Sequence, residues 1–373
     1  MTVRALVVDD SAVFRRITTC ALETIPGVEV AGSCRNGRAA LERIHSDPPD
    51  LITLDMEMPE MNGLEMLEAM RRQNLNIPVI VLSALGDRDR ELTLRALELG
   101  AFDFLAKPDR PSPEENLAFL RGSLAPLVAA AGHRAEVRSL LRGERPAPKT
   151  PPPPATVASR PGLTSADGLG EAAFRMNRIA GRVKPDMVLI GVSTGGPIAL
   201  ARLAPQLPGN LAAPVIVVQH MPPLFTRNLA ENLAAKSALR VKEAEDGEAA
   251  RPGGLYIAPG GRHLRVAAGA QREILLRTSN DPPENNCRPA VDYLFRSAAK
   301  SFPGRSMAVV LTGMGSDGAE GLRRLKAGGC FAIAQDEASC VVFGMPRAAI
   351  QTGLVDLVAP LGSIAAEITR AVQ

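Results

Sequence analysis

Tryptophan is absent from this 373-residue sequence, and aromatic residues make up only 3% of it. A stacking platform for single-stranded nucleic acid is therefore not expected. Basic and acidic residues nearly balance at 43 against 40, so the small net charge of +3 gives no reason to expect nucleic acid or an anionic membrane as a partner. The sequence has no apolar run of membrane-spanning length and no N-terminal signal-peptide pattern. We expect a cytoplasmic protein that is not inserted in a membrane.

Cysteine is also sparse, and its distribution excludes two kinds of site. The five cysteines are odd in number, are scattered and form no CxxC pair: Cys20, Cys34, Cys287, Cys330 and Cys340. Neither a disulfide framework nor a zinc site is expected, and we predict reduced thiols. A thiol enzyme is disfavoured because no local pattern activates any of the cysteines, and core or incidental thiols are more common.

What the sequence does contain is short apolar runs that alternate with segments of helical spacing. This alternation predicts βαβ units and parallel sheets. We predict a five-stranded, doubly wound parallel α/β domain over residues 1–125 and a doubly wound, mostly parallel α/β domain over 185–373. Between them, residues 126–184 hold a helix end and a proline-rich linker with the run "TPPPP". In the second domain, "GLYIAPGGRHLRVA" and "REILLRTS" indicate strands with turns, with an antiparallel pair as one possibility.

Three acidic residues follow predicted strands in the first half. Asp9 and Asp10 come after "ALVV", and Asp55 comes after "LITL". In a parallel sheet whose first and third strands are neighbours, these carboxylates converge, which costs free energy unless a cation joins them. Oxygen ligands at an open site suit Mg²⁺. The alternative is that each carboxylate only caps a helix, which is common for one aspartate but less so for a matching set.

Two further predicted strand ends supply a hydroxyl, Ser83, and an ammonium group, Lys107. A cation, a hydroxyl and an ammonium group around one carboxylate form a site that accepts a phosphoryl group. Asp55 would be the nucleophile, with its charge and that of the transferred group neutralised by Mg²⁺ and Lys107.

The motifs "VVDDS", "LDMEMPEMNG", "VLSA" and "ALELGAFDFLAKP" closely resemble the receiver domain of bacterial response regulators. The resemblance implies that Asp10 and Asp55 bind Mg²⁺ directly, helped by Asp9 and the carbonyl of Glu57. It also implies phosphorylation of Asp55 by a histidine kinase.

The same resemblance implies a phosphate switch beyond the acceptor itself. Ser83 and Lys107 would respond to the phosphate on Asp55. Phe104 stands where the family has its switch aromatic residue.

Three residues of the second half fall at predicted strand ends or in the loops that follow them. "LIGVSTGGPIAL" places Ser193 before a helix start, "APVIVVQH" ends on His220, and "LTGMGSDG" holds Asp317. Each signal alone is weak, because the first fits a phosphate loop or a plain turn and a lone histidine is usually structural. Together they could form a triad in one crevice, with Ser193 as nucleophile, His220 as base and Asp317 as orienting group.

The motifs "GVSTGGP", "QHMP", "YIAPGGRHL", "LTGMGSDGAEGL" and "AQDEASCVVFGMPRAAI" resemble the catalytic domain of chemotaxis protein-glutamate methylesterases. The resemblance implies the triad Ser193, His220 and Asp317, with the backbone amide of Met314 in the oxyanion hole. It implies hydrolysis of glutamyl methyl esters and deamidation of certain glutamines on chemoreceptor cytoplasmic domains, with a chemotaxis histidine kinase as phosphodonor. No cofactor is implied for the esterase chemistry. The departures are a long proline-rich linker and Val192, where the family commonly has alanine.

Two other classes of function compete with the enzyme. A catalytically weak module could merely dock receptors or a kinase, but no triad residue has been lost. A DNA-binding regulator would need a basic helix-turn-helix after the linker, whereas the sequence shows strand ends and glycine turns there.

Overall fold

The structure is a computed structural model that describes residues 2–84, 86–141 and 184–373. Most of the predicted linker, residues 142–183, lies outside the described residues. The predicted domain boundaries at residues 125 and 185 therefore stay predictions. The first sheet and its helices fall within residues 3–141, and the second group of elements falls within residues 184–373.

The first domain alternates strands with helices, and all its strand pairs are parallel. Its elements are β1 Val3–Val8, α1 Ala12–Glu23, β2 Val28–Cys34, α2 Gly37–Ser46, β3 Leu51–Asp55, α3 Gly63–Arg72, β4 Val79–Ser83, α4 Asp87–Glu98, β5 Asp103–Ala106 and α5 Pro113–Leu141. The strand order β2-β1-β3-β4-β5 is that of a doubly wound sheet. The predicted fold of the first domain is confirmed. The last helix extends ten residues beyond the apolar pattern that predicted it and runs through Pro126.

A capping box fixes the loop that follows β3. The side chain of Asn62 accepts from the amide of Glu65, and the Glu65 carboxylate accepts from the amide of Asn62. A Cβ atom on Gly63 would lie 2.5 Å from the carbonyl oxygen of Asp55, so only glycine allows α3 to begin so close to the strand end. The loop is thus held tightly against the carboxylate at the end of β3.

The second domain is built on a seven-stranded sheet, flanked by a small antiparallel sheet. Its elements are β6 Met187–Val192, α6 Gly196–Leu203, β7 Val215–Gln219, α7 Phe225–Ala234, β8 Arg240–Glu243, β9 Ala249–Ala250, β10 Gly254–Ile257, β11 His263–Ala268, β12 Ile274–Ser279, α8 Val291–Ser301, β13 Ser306–Val310, α9 Ala319–Ala327, β14 Phe331–Gln335, α10 Met345–Gln351, β15 Leu357–Ala359 and α11 Leu361–Val372. The predicted mostly parallel α/β fold is confirmed. The antiparallel pair is β11 with β12, whereas β10, the "GLYI" segment, joins the parallel sheet beside β7.

In the strand order β15-β14-β13-β6-β7-β10-β8, the direction in which the chain adds new strands changes at β6, although the strands themselves remain parallel. The chain continues from β6 to β7 on one side, and β13 lies on the other side. A reversal of this kind opens a crevice at the carboxyl ends of the strands, which is where open α/β sheets bind ligands. The segments after β6, β7 and β13 therefore border a single crevice.

Candidate active site

The acidic residues of the first domain meet at the carboxyl ends of β1 and β3. Asp9 is fully buried, Asp55 is nearly so, and Asp10 is exposed. One carboxylate oxygen from each of the three lies within 4.8 Å of the others. The Nζ atom of Lys107, which directly follows β5, lies 2.8 Å from both Asp9 Oδ2 and Asp55 Oδ2. The structure therefore brings four of the predicted residues together.

The electrostatics of this pocket follow from its burial. Burial raises the pKa of Asp55 to about 6, assisted by the neighbouring charge of Asp9, although Lys107 acts in the opposite direction. Burial lowers the pKa of Lys107, but the two carboxylates outweigh that effect and the net shift is upward. The ammonium group of Lys107 also lies 4.8 Å from the centre of the Phe14 ring.

The donor set fits a small, hard cation. Among the residues that the structure describes, the buried Asp9 Oδ2 has no hydrogen-bonding partner beyond the Lys107 ion pair. Asp10 is exposed, so one side of the group remains open to water and to a phosphoryl group. Oxygen ligands with room for water are what Mg²⁺ prefers. Glu57 is exposed in the loop after β3, and a role for its carbonyl stays a prediction.

The two remaining residues of the predicted phosphate switch lie in different surroundings. Ser83 ends β4 beside Asp55, and its buried hydroxyl donates to the carbonyl of Ala84 and accepts from the hydroxyl of Thr93. Phe104 is buried and packs against Phe225 of the second domain, with ring centroids 4.7 Å apart. Phe104 thus lies at the contact between the domains instead of in the acidic pocket.

In the second domain, neighbouring strands carry Ser193 and His220. Val192 of β6 pairs with Gln219 of β7, so the next residue on each strand is Ser193 and His220. The side-chain amide of Gln219 donates to the carbonyls of both, at 3.0 and 3.1 Å. Parallel strands lie about 4.8 Å apart, so this register sets the two side chains next to each other.

His220 turns its Nε2 atom towards Asp317, with Nε2 2.7 Å from Oδ2. Nδ1 is the ring nitrogen left for a serine hydroxyl. Among the described residues no hydrogen bond joins Ser193 Oγ to His220, and the neighbour of Nδ1 is the sulfur of Cys287 at 3.5 Å. Catalytic hydrogen bonds are often loose before substrate binds, so this geometry is compatible with a triad.

Asp317 is fixed by several donors besides His220. Oδ2 accepts from the amide of Val291, whereas Oδ1 accepts from the amides of Asp292 and Gly318 and from the side chain of Asn285, at distances of 2.6 to 3.0 Å. Burial raises the pKa of Asp317, but His220 and these amides outweigh it, and the net pKa is lowered. Asp317 is therefore held ionised and immobile.

The neighbours of His220 also determine its charge. Burial lowers the pKa of His220, but the hydrogen bond to Asp317 and the contact with Cys287 overcome this effect and raise the pKa to about 9. A neutral His220, which can accept a proton, therefore becomes abundant only on the alkaline side of neutrality.

Two glycines allow backbone to approach the serine. Gly195 has φ of 76°, and a Cβ atom there would lie 2.4 Å from Val341. A Cβ atom on Gly313 would lie 2.8 Å from the Cβ of Ser193, so the segment that leads to Met314 passes directly beside the nucleophile. Within the described residues the amide of Met314 donates no hydrogen bond, so it is available to an oxyanion.

Sequence reasoning missed four side chains around the triad: Gln219, Cys287, Asn285 and Asp292. Asp292 is buried behind Asp317 and accepts from the amides of Gly318 and Gly321. Burial raises the pKa of Asp292. The one available signal was the dipeptide Asn285-Asn286, which is typical of a tight turn.

The first domain covers one side of this crevice. Asp103 of β5 interacts with the hydroxyl of Thr194, the residue after Ser193, and burial raises the pKa of Asp103 to about 6 although Thr194 opposes that shift. Met314, Val341 and Val342 join the partly buried apolar residues, Leu105 among them, that pack against the core of the first domain. The strand β5 thus lies beside the predicted nucleophile and oxyanion hole.

Comparisons with known proteins agree with this two-part organisation. Residues 188–368 match the family profile described as CheB methylesterase, and residues 5–115 match that of the response regulator receiver domain. The chain is 46% identical, over 99% of its length and 98% of the relative, to the protein-glutamate methylesterase/protein-glutamine glutaminase of Desulfotalea psychrophila. With the enzyme of the same name from Bacillus subtilis it shares 41% identity, over 100% of this chain and 99% of that one.

The chain belongs to the CheB methylesterase family. The crystal structure of the Thermotoga maritima CheB methylesterase catalytic domain is 45% identical, with a TM-score of 0.49, and the match covers 50% of this chain and 99% of that chain. The response regulator domain of Thermotoga maritima CheB is 31% identical, with a TM-score of 0.31, over 35% of this chain and 98% of that chain. Within residues 2–84, 86–141 and 184–373, no helix combines the length and the apolar character needed to cross a bilayer.

Proposed function

We propose that this chain is a phosphorylation-regulated methylesterase of bacterial chemotaxis. Its substrates would be glutamyl methyl esters on the cytoplasmic domains of chemoreceptors, and it would also deamidate specific glutamines there. The observation that carries the proposal is the His220–Asp317 pair beside Ser193 at the reversal point of the sheet. A role limited to docking is not favoured, because no residue of the proposed triad has been lost from the sequence.

In the proposed reaction, Ser193 Oγ attacks the ester carbonyl carbon while Nδ1 of His220 takes the hydroxyl proton. Asp317 holds Nε2–H and stabilises the imidazolium. The negative charge that develops on the carbonyl oxygen is stabilised by the amide of Met314. The C–O bond to the methoxy group then breaks, His220 returns the proton, and methanol leaves an acyl group on Ser193.

Water completes the cycle. His220 removes a proton from a water molecule, which attacks the acyl carbon and releases Ser193 and a glutamate side chain. With a glutamine substrate, the same steps release ammonia in place of methanol. Nothing in these steps calls for a cofactor.

For the first domain we propose that Asp55 is the phosphoacceptor, with a chemotaxis histidine kinase as donor. Asp9, Asp10, Asp55 and the carbonyl of Glu57 would hold Mg²⁺, which when bound neutralises charge on the phosphoryl group. Lys107 already contacts the Asp55 carboxylate, so it is placed to sense a phosphoryl group there.

We propose further that the unphosphorylated receiver restrains the esterase. The contacts of Asp103 with Thr194 and of Phe104 with Phe225 support this proposal. A folded receptor helix is bulky, so a domain on one side of the crevice would hinder its entry. Phosphorylation would draw Ser83 and Phe104 into another arrangement and weaken the contact.

The decisive experiment measures methanol release from methylated receptor membranes, with and without acetyl phosphate and Mg²⁺. We expect slow release that rises when the phosphodonor is added. The Ser193→Ala variant is the control. Release that survives in this variant would contradict the proposed chemistry.

A further inference from the structure

A tight turn beside the triad carries contacts that the proposed mechanism does not use. Glu284 and Cys287 exchange two backbone hydrogen bonds, of 2.8 and 3.1 Å, around Asn285 and Asn286. Both central residues have positive φ, 51° and 60°, as in a type I′ turn, and asparagine tolerates that conformation. The turn is therefore a defined structure.

Contacts with the rest of the domain anchor this turn. Arg296 of α8 forms a 2.5 Å ion pair with Glu284. Before the turn, the carbonyl of Pro282 lies 3.0 Å from Nε2 of the buried His263. After the turn, Nδ1 of the same histidine accepts from the amide of Ala290. The anchored ends leave the turn little freedom to move relative to the crevice.

The turn delivers one side chain to each of two triad members. Nδ2 of Asn285 donates to Asp317 Oδ1 and to Asp292 Oδ2, both at 3.0 Å. Cys287 places Sγ 3.5 Å from Nδ1 of His220. The contact joins residues 67 positions apart, so no local sequence pattern could reveal it.

The contact matters because of which nitrogen is involved. Asp317 accepts from Nε2–H, so Nδ1 is the nitrogen that exchanges a proton: it carries that proton below the raised pKa of His220 and offers a lone pair above it. The serine hydroxyl must reach that same lone pair to be activated. The sulfur of Cys287 is a weak acceptor, so it can take a hydrogen bond from the protonated Nδ1, which favours the imidazolium, and still give way to Ser193 once that proton is lost.

We propose that Cys287 is a positioning residue of the esterase, which holds the Nδ1 edge of His220 until Ser193 replaces it. This inference rests on the proposed esterase function. The groups that face the imidazole are Asp317, from the loop after β13, and Cys287, from the turn. Asp292 of α8 acts behind Asp317. Because the cysteine contact helps to raise the pKa of His220, its removal should make the neutral ring available at lower pH.

The first test reads the imidazole directly. The chain has four histidines, so nitrogen NMR of the full-length protein with labelled histidine can follow each ring, and a His220→Gln variant identifies the signal of His220. We expect the pH at the midpoint of the His220 titration to be lower in Cys287→Ala and unchanged in Cys340→Ala. Cys340 is a matched control because it is also half-buried but does not contact His220.

The second test measures the pH profile of kcat/KM for the full chain on a peptide that carries a glutamyl methyl ester. In Cys287→Ala we expect the acidic limb to move to lower pH, with a gain of about threefold near neutral pH for a shift of about half a unit. Cys287→Ser keeps a hydrogen-bond acceptor at this position, so its pH profile should move less than that of Cys287→Ala. Thermal unfolding of each variant checks that the fold is retained.

The outcomes separate this inference from the function on which it rests. If the pH at the midpoint of the His220 titration is unchanged in Cys287→Ala, the positioning role of Cys287 is overturned. A uniform loss of rate with an unshifted pH profile also overturns it, because that is the behaviour of a merely structural residue. If the unaltered chain hydrolyses no ester at any pH, the proposed function fails, and the NMR titration still decides the contact between Cys287 and His220.

Discussion

Phe104 of the receiver packs against Phe225 of the esterase domain, with ring centroids 4.7 Å apart and ring planes inclined by 34°. Phe104, which the resemblance to receiver domains predicts to be the switch aromatic residue, is therefore itself part of the domain contact. A change of rotamer at Phe104 cannot occur without loss of this packing. The proposed switch and the observed domain contact therefore share one side chain.

The contact between the domains also includes an ion pair whose two charges can be exchanged by mutation. Lys236, two residues after the end of α7, pairs with Glu98 at the end of α4, and both are partly exposed. Such a pair contributes about 0.2 to 1 kcal/mol, so we expect Glu98→Lys to raise unphosphorylated activity on receptor membranes about 1.4- to 5-fold, as attraction is replaced by repulsion. The double variant Glu98→Lys/Lys236→Glu restores the pair and should return activity to the original level. Failure of the double variant to do so would contradict this role for the pair.

Removal of the receiver should have a larger effect than weakening its contact. A fragment of residues 184–373 retains both sheets of the second domain. On receptor membranes we expect it to be faster than the unphosphorylated full chain and indifferent to phosphodonor. With a small ester as substrate, the difference in rate between the fragment and the full chain should be smaller, because a small molecule can enter a crevice that the receiver covers on one side only. A fragment no faster than the full chain would mean that the receiver acts by positive docking instead.

Asp317→Asn should lower the rate of methanol release by several orders of magnitude, as an orienting aspartate does in a serine triad. In the asparagine variant an NH₂ group would replace one of the two oxygens that now accept hydrogen bonds. The side chain could then no longer hold the proton of His220 on Nε2, so the tautomer of His220 would not be fixed. The measurement is kcat, with circular dichroism as a check on folding. An effect of only a few-fold would assign Asp317 to the turn alone.

Acetyl phosphate with Mg²⁺ should label Asp55 and no other residue. The label should be stable in acid and labile in base, as expected of an acyl phosphate. Asp55→Asn is the control, and label that persists in this variant would refute the site. Lys107→Ala should still accept phosphate, but the phosphate should stimulate methanol release less, since the ammonium group that contacts Asp55 is gone.

His220 should also make stability depend on pH. Its pKa is about 9 in the folded protein and about 6.5 when unfolded. The stabilisation is therefore fully present below about pH 6.5 and is lost as pH rises through 9, an effect of up to about 3 kcal/mol.

Denaturant unfolding at both ends of this range can measure the effect. Both tyrosines, Tyr256 and Tyr293, lie in the second domain and tryptophan is absent, so tyrosine fluorescence follows the unfolding of that domain. His220→Gln lacks the titration, and the difference between the two proteins isolates the contribution of His220. Equal pH dependence in both would contradict the raised pKa.

Much of the fold followed from the sequence, because its strands are continuous apolar runs. The sequence segments "VRALVV" at 3–8 and "VEVAGSC" at 28–34 coincide with β1 and β2. The strand β8 was missed because "RVKE" lies at the edge of the sheet and is largely polar. The helices α10 and α11 were also missed. For "GLYI", local pattern could not reveal the partner strand, which is set by a pairing with β7.

The residues of the two candidate sites also divide into those that the sequence could predict and those that it could not. Aspartates, a serine and a histidine at strand ends were predictable, because parallel strands bring their carboxyl ends to one edge. Asn285 and Cys287 were not, since they reach the triad from a turn between β12 and α8. The placement of Phe104 against Phe225 was also beyond sequence reasoning, because it depends on how two separately folded sheets meet.

One short strand connects the two sites. Lys107, which contacts Asp55, comes directly after β5, and Asp103 and Phe104 at the start of β5 contact the esterase. Four residues of strand span about 13 Å. We therefore expect that a displacement at Lys107 on phosphorylation of Asp55 would be transmitted along the backbone of β5 to the residues that contact the esterase.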